Sequence, residues 1–317
     1  MGRSTSTKAT EAESRTDIYQ RVTDRIVAAI EAGLAEGKAG MPWHRKSHGG
    51  TATGLPMNAA SKTSYRGVNV PVLWATADAA GYGTGLWATY KQWGEMGGQV
   101  RKGEQGTPVV YWKITKPSER GDTDGEDEAG GGKRGSFFVR YYNVFNLAQV
   151  DGATLPADTA PELPESERIA HAEAFIAALP GLDLRHGGGM AFYMPSQDRV
   201  QMPPFADFKD AEGYYSVLYH ELVHWTGAKH RLDRDLTGRF GSAVYAADEL
   251  VAELGSAFLC ASQALSSEPR PDHAKYVQSW LQALKNDKRA IFTAAAKAQQ
   301  AADWLIAAGT KTREIAA

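Results

Sequence analysis

The chain has 317 residues, enough for two domains of ordinary size, and 43% of them are hydrophobic and 23% charged. This composition excludes a disordered or fibrous protein, and the net charge of −2 shows no overall bias toward nucleic acid. The single cysteine, Cys260, excludes an intrachain disulfide and fits a reducing compartment. Because the sequence has neither an apolar leader nor a long apolar run, we expect a soluble cytoplasmic protein without a membrane partner.

The amino-terminal part predicts a disordered tail at 1–15 and an α+β domain at 16–150. The tail is polar and charged, whereas apolar residues spaced three and four apart predict a helix from Ile18 to Gly37. The segment from Met41 to Ser64 is rich in Gly, Pro, Ser and Asn, which predicts a long loop. Two further helices are predicted, at 68–80 and 89–96.

Two β-branched and aromatic segments, 107–114 and 136–145, predict paired strands. The acidic, glycine-rich segment 116–135 lies between them and indicates a flexible insertion in a hairpin. Residues 151–166 contain three prolines and predict an interdomain linker.

The remainder, 167–310, predicts a mainly helical domain. Residues 191–194 and 199–202 suggest a short hairpin that turns at 196–198. Apolar periodicity predicts helices at 166–179, 210–226, 244–266, 272–285 and 287–308.

One helix carries a metal-ligand motif. His220, Glu221 and His224 form the pattern HExxH, and residues four apart project from one face of a helix, so both imidazoles can reach one Zn²⁺ ion. Glu221 is then placed to accept a proton from water at the metal. We therefore predict a metallopeptidase-type site that holds zinc, with another divalent metal as the alternative.

The third ligand has several candidates. His230 completes the pattern HExxHxxGxxH, but that pattern belongs to proteins with a methionine downstream, and all seven methionines precede the motif. Glu249 lies on a largely apolar predicted helix, where a carboxylate needs a metal or a partner. It is the preferred ligand, with Asp248 and Glu253 also open. As a neighbour of the metal, Glu253 could instead orient a ligating histidine.

The segment from Met41 to Arg120 suggests nucleic-acid binding. It contains ten Lys or Arg residues against four Asp or Glu, and five of the eight tryptophans. Cations neutralise phosphates and flat rings stack on bases, which is what single-stranded DNA requires. The alternative is that the tryptophans are core residues. The predicted contacts are Trp43, Arg45, Lys46, Lys62, Tyr65, Arg66, Lys91, Trp93, Arg101 and Lys102.

These motifs resemble those of the ArdC-type antirestriction proteins. The amino-terminal resemblance rests on Trp43, Asn58 and three strings, at 65–69, 89–93 and 100–104. The carboxy-terminal resemblance rests on the string HELVHWTG at 220–227 and on residues 249–255. Taken together, the two resemblances run from about residue 16 to the end of the predicted peptidase helices. The same amino-terminal domain stands at the front of TraC-type primases.

The resemblance implies a single-stranded-DNA-binding domain followed by a zincin-like, specifically gluzincin-like, domain. It also favours Glu249 over His230 as the third ligand. The implied function is protection of incoming plasmid or phage DNA from host restriction. The alternatives are a zinc metalloprotease that cleaves a host protein and an accessory factor in conjugative DNA processing.

Overall fold

A computed structural model describes residues 6–37, 41–45, 54–115, 136–153, 165–238, 242–267 and 274–316. Over these ranges the chain folds as a mixture of helices and sheets in which helices predominate, and the predicted α+β class is confirmed. No helix in the described ranges has the length and apolarity needed to cross a membrane.

The amino-terminal half forms a four-stranded sheet with the strand order β1-β2-β5-β4. Strands β4 and β5 are antiparallel and extend beyond the rest of the sheet as a two-stranded ribbon. Strands β3 and β6 form a separate antiparallel pair. The elements are α1 (Ser6–Ala35), β1 (Met57–Asn58), α2 (Asn69–Ala80), β2 (Leu86–Thr89), α3 (Tyr90–Glu95), β3 (Gln99–Val100), β4 (Thr107–Thr115), β5 (Ser136–Asn146) and β6 (Val150–Asp151).

The carboxy-terminal half is a helical assembly with a small three-stranded sheet. Its strand order is β7-β9-β8, so β8 lies at an edge. Asp210 and Ser242 begin two of the helices, because each side chain accepts a backbone N–H three residues later. The elements are α4 (Glu165–Ala177), β7 (Asp183–His186), β8 (Phe192–Met194), β9 (Arg199–Met202), α5 (Ala211–Thr226), α6 (Ala243–Ser262), α7 (Ala274–Asn286) and α8 (Ala290–Ala316).

The structure differs from the sequence predictions mainly in short elements and at one terminus. Helix α1 begins at Ser6, so residues 6–15 are helical and do not form the predicted tail. Extending an existing helix costs little once its packed part has formed. Strand β7 pairs in parallel with β9 and has no alternating apolar pattern that would have predicted it. The predicted insertion at 116–135 and most of the predicted linker, 154–164, lie outside the described residues.

The two halves of the chain share their largest hydrophobic core. Ile18, Val22, Ile26 and Ile30 form the buried face of α1, and they belong to the same cluster as the buried residues of α5 to α8. Trp43 and several residues of α2 join this cluster as well. The amino-terminal half is therefore packed against the helices that carry the predicted metal ligands, and two smaller clusters lie under its sheet.

Helices α5 and α6 approach closely because a glycine lies at their contact. A Cβ atom on Gly255 would come within 2.7 Å of a methyl group of Val223, which is closer than two carbon atoms can pack. Val223 directly precedes His224 on one helix, and Gly255 lies two residues after Glu253 on the other. The spacing of the two helices thus depends on a residue without a side chain.

We predict that Gly255→Ala destabilises the protein by about 1–3 kcal/mol, because the added methyl group overpacks the α5–α6 contact. Gly94→Ala is the matched control, since Gly94 is also helical and has open space around its Cβ position. The control should be neutral or gain up to about 1 kcal/mol from helix propensity. Urea unfolding measures both. Equal stability of Gly255→Ala and the wild type would contradict the prediction.

Candidate metal centre

Helix α5 presents the two predicted histidine ligands on one face. His220 is buried, and its Nε2 atom lies 3.1 Å from Nε2 of His224. Two ring nitrogens at this distance point into a common space, as the spacing of four residues predicts. Both rings therefore present their Nε2 atoms to one point.

Helix α6 adds a carboxylate to the same point. Oε2 of Glu249 lies 3.5 Å from His220 Nε2, and Oε1 of the same carboxylate lies 3.4 Å from His224 Nε2. One ligand atom from each of the three side chains lies within 4.8 Å of the others. Ligands held about 2.0–2.1 Å from a tetrahedral ion are about 3.3 Å apart, so these donors fit a divalent cation. The side chain of His230 is 64% exposed and contacts Asp198, outside this group.

Asp248 fixes the orientation of His224. Its Oδ2 atom lies 2.8 Å from Nδ1 of His224, and its Oδ1 atom accepts a hydrogen bond from Arg234 Nε at 3.0 Å. Arg234 is itself buried and donates to Thr226 Oγ1 and to the Val223 carbonyl of α5. Asp248 was an open candidate for third ligand, and the structure places it behind His224, outside the group of three convergent donors.

The electrostatics of the centre favour a cation. Burial alone would lower the pKa of His224, but its hydrogen bonds to Asp248 and Glu249 raise that pKa to about 10. Burial likewise tends to raise the pKa of Glu249, yet the two histidines hold it well below its ordinary value. The carboxylates thus stay ionised and stabilise positive charge between the helices.

Glu253 connects His220 to the amino-terminal half of the chain. One of its carboxylate oxygens lies 3.8 Å from His220 Nδ1, beyond hydrogen-bond range, and the other accepts from His44 Nε2 at 2.8 Å. His44 Nδ1 accepts the backbone N–H of Met41, so Nε2 carries the ring proton. No sequence pattern links His44 to Glu253, which lies 209 residues further along the chain.

A cleft opens beside the three donors. It has a volume of about 250 Å³, and Glu221, His224, Asp248 and Glu249 are among the residues that line it. Tyr245, one helical turn before Glu249, lines it as well, and burial together with hydrogen bonding to Tyr276 raises the pKa of its phenol. The remaining walls come from the edge strand β8, from neighbouring loops and from the start of α6, and include Phe192, Tyr193, Pro195, Asp235, Leu236 and Val244.

The two tryptophans predicted to stack on DNA are core residues, and that prediction is wrong. Trp43 is fully buried and packs on Trp280, with 6.3 Å between ring centroids. Trp93 is fully buried and donates its indole N–H to the Phe145 carbonyl at 2.9 Å. A buried ring has no free face for a base. The core interpretation, which the sequence left open, holds for both residues.

The predicted arginine contacts are engaged in ion pairs. Arg45 binds Asp78 at 2.7 Å and is largely buried against Trp74. Arg66 is exposed and pairs with Asp303 of α8. Arg101 is partly exposed and pairs with Glu104 and Asp151. The carboxylates offset much of the charge that these side chains would offer to phosphate.

The predicted lysines are more exposed, whereas Tyr65 is only partly so. Lys62, Lys91 and Lys102 are exposed, and Lys91 lies 3.6 Å from Glu95 in a solvent-accessible pair. The Asn58 amide contacts both the Tyr65 hydroxyl and Gln92 of α3 and so joins the turn around Lys62 to the helix that carries Lys91. Burial raises the pKa of Tyr65 to about 12. Lys46 lies outside the described residues.

Comparison with protein families identifies two matches along the chain. Residues 16–145 match the N-terminal domain of the anti-restriction factor ArdC. Residues 170–297 match a zincin-like metallopeptidase family, and this range includes the three donors described above.

Comparison with solved structures finds the antirestriction protein ArdC of plasmid R388. Its metal-free form is 42% identical, with a TM-score of 0.73, and the match covers 93% of this chain and 98% of that one. A Mn(II)-bound form of the same protein is 40% identical, with a TM-score of 0.70, covering 92% and 97%. The zincin-like match and the Mn(II)-bound relative support a divalent metal cofactor.

Two curated relatives match nearly the whole of this chain but different shares of their own lengths. The uncharacterized protein y4eC of Sinorhizobium fredii is 56% identical over 92% of both chains. The DNA primase TraC of Escherichia coli is 36% identical over 93% of this chain, which corresponds to only 28% of the primase. The chain therefore matches one segment of a much longer enzyme.

We predict that Glu249→Ala abolishes stoichiometric metal binding, because the substitution removes one of three convergent donors. Metal analysis of the purified protein after metal loading measures the stoichiometry. His230→Ala is the matched control and should retain the metal, since His230 lies outside the donor group. Retention by Glu249→Ala with loss in His230→Ala would reverse the assignment.

We further predict that Asp248→Ala weakens metal binding by about 10–100-fold, since His224 loses the partner that orients its ring. Asp235→Ala serves as control because Asp235 lines the same cleft but bonds to Thr237 and to neither histidine. Competition against a chelator of known affinity gives both values. Unchanged affinity in Asp248→Ala would show that the hydrogen bond does not position His224.

Proposed function

The chain belongs to the ArdC antirestriction family, and from that premise we propose that it binds single-stranded DNA and protects incoming plasmid or phage DNA from host restriction in the cytoplasm. The observation that carries the proposal is the similarity to an antirestriction protein along almost the whole of both chains. Coating of entering DNA requires little sequence specificity, which suits cationic and aromatic contacts.

The second candidate function is a zinc metalloprotease that acts on a host protein. It is favoured by a specific observation, namely that His220, His224 and Glu249 converge and that two of them, His224 and Glu249, line one cleft together with Glu221. Two histidines and one glutamate with an open position are a donor set typical of catalytic zinc. A bound zinc ion would act as a Lewis acid toward a peptide carbonyl and the attacking water.

The chain's own residues fit distinct roles in such a reaction. The Glu221 carboxylate faces the cleft next to the donors and can accept a proton from water and pass it to the leaving amine. Tyr245 lies one helical turn before Glu249 and lines the same cleft, and its hydroxyl can donate to an oxygen that gains negative charge. Strand β8 is a sheet edge along the cleft, so an extended peptide can pair with it.

A third reading is an accessory role in conjugative DNA processing. The TraC primases contain a segment similar to this chain, which motivates that reading. The chain corresponds to 28% and 20% of those primases, and primase activity is no part of the proposal.

Transfer of an unmodified plasmid into restricting and non-restricting recipients tests these functions. We expect the chain to raise transfer into restricting recipients specifically, whether the plasmid arrives by conjugation or by transformation. An equal gain in both recipients, confined to conjugation, would instead support the accessory role. No gain in any arm would overturn the antirestriction proposal.

The variant Glu221→Gln separates the two leading functions. We expect it to retain metal and protection, because the substitution removes a proton acceptor and leaves the three metal donors in place. Any peptide hydrolysis should fall by about 10²–10⁴-fold, the usual contribution of a general base. Loss of protection with metal retained would make hydrolysis the protective step and favour the metalloprotease. Metal content measured on the same preparation serves as the control for the site.

A further inference from the structure

One face of the β4–β5 ribbon combines two tyrosines with an arginine. Tyr111 of β4 lies directly opposite Arg140 of β5, and Tyr142 lies opposite Val109. Because successive residues of a strand point to opposite faces, Tyr111, Arg140 and Tyr142 share one face, whereas Tyr141 lies on the other. Side chains directly opposite are about 5 Å apart at Cβ, and diagonal neighbours about 7–8 Å.

The three side chains lie just beyond the part of this face that the protein covers. Val109 and Val144 are on the same face and are buried in a cluster with Leu73 and Ala77 of α2. Further out along the ribbon, Tyr111 is 58% exposed, Tyr142 is 44% exposed and Arg140 is exposed. The change from valine to tyrosine and arginine along one face therefore coincides with the change from buried to exposed.

We propose that Tyr111, Arg140 and Tyr142 form a stacking platform for single-stranded DNA, an inference that rests on the proposed DNA binding and assigns its site. Each phenol ring offers a flat face on which a base can stack without regard to sequence. Arg140, opposite Tyr111 and two residues from Tyr142 on the same strand, brings a guanidinium group that can pair with a phosphate or stack on a base. The diagonal spacing of the rings allows neighbouring bases to use both at once.

Other aromatic candidates in the amino-terminal half fit this role less well. Trp43 and Trp93 are buried, and the Tyr90 hydroxyl accepts from Gln99 while its ring packs edge-on against Phe145. Tyr141 is 45% exposed but lies on the other face of the ribbon, directly opposite Val110, so it does not share a face with Arg140.

The charge on Arg140 also sets this face apart. Among the residues that the structure describes, Arg140 forms no ion pair with a carboxylate, unlike Arg45, Arg66 and Arg101. An exposed guanidinium group beside two exposed rings offers a phosphate both positive charge and hydrogen-bond donors.

Fluorescence anisotropy with a labelled oligothymidylate tests the platform on the full chain. We expect Tyr111→Ala and Tyr142→Ala each to weaken binding by about 5–100-fold, the range for loss of one stacked base. The phenylalanine variants Tyr111→Phe and Tyr142→Phe should bind like the wild type, because stacking needs the ring and not the hydroxyl. Arg140→Ala should weaken binding and reduce the salt dependence by about one ion.

Tyr141→Ala is the matched control, since it removes an equally exposed ring from the next position of the same strand. Its binding should stay unchanged, and melting temperatures of all variants verify the fold. If the wild type binds and the Tyr111 and Tyr142 alanine variants bind equally well, the platform is overturned while DNA binding stands. If the wild type does not bind at all, the DNA-binding proposal fails and the platform with it. Equal losses in Tyr141→Ala and the platform variants would also overturn the platform.

Discussion

The buried ionic contact between α5 and α6 is the constraint around which the carboxy-terminal half is built. Glu249 and Glu253 are almost completely removed from solvent, and an isolated buried carboxylate costs several kcal/mol. Contacts with His220 and His224 offset the desolvation of Glu249, and a hydrogen bond from His44 offsets that of Glu253. A divalent cation satisfies the same electrostatic requirement, because it supplies positive charge where these carboxylates need it. The arrangement that suits metal binding is thus also the one that makes the buried charges tolerable.

Close packing turns this electrostatic requirement into a defined geometry. Gly255 lets the two helix backbones approach, and Arg234 ties Asp248 of α6 to the end of α5. The donors consequently lie on two rigid elements whose spacing cannot drift without breaking several hydrogen bonds. Rigid placement of ligands and their orienting partners is what a metal site with an open position needs.

The amino-terminal half contributes directly to this centre. His44 donates a hydrogen bond to Glu253, and the preceding residue, Trp43, is buried in the core that both halves share. A chain of contacts therefore runs from Met41 through His44 and Glu253 toward His220. Helix α1 packs against α2 and α7. The segment that sequence composition associates with DNA is, in part, structural support for the metal centre. The outer surface of the sheet, where the β4–β5 ribbon is exposed, remains for contact with a partner.

The sequence by itself determined the long helices, the paired strands β4 and β5, the family resemblance and the HExxH pair. Each of these depends on residues that are close in sequence. His220 and His224, for example, share a helical face because they are four residues apart. Spacing also indicated that Glu249 lay on an apolar helix, but only the packing of α6 on α5 brings its oxygens to the histidines.

Tertiary structure alone decided which aromatic and charged residues are free to act. Trp43 and Trp93 look like exposed stacking residues in a basic segment, yet burial of large apolar surface outweighs any benefit of exposing them. The partners of Arg45, His44 and Arg66 are between 33 and 237 residues away in sequence, a distance over which composition holds no information. How much of one face of β5 stays exposed depends on how far α2 covers it, a consequence of long-range packing that no local pattern contains.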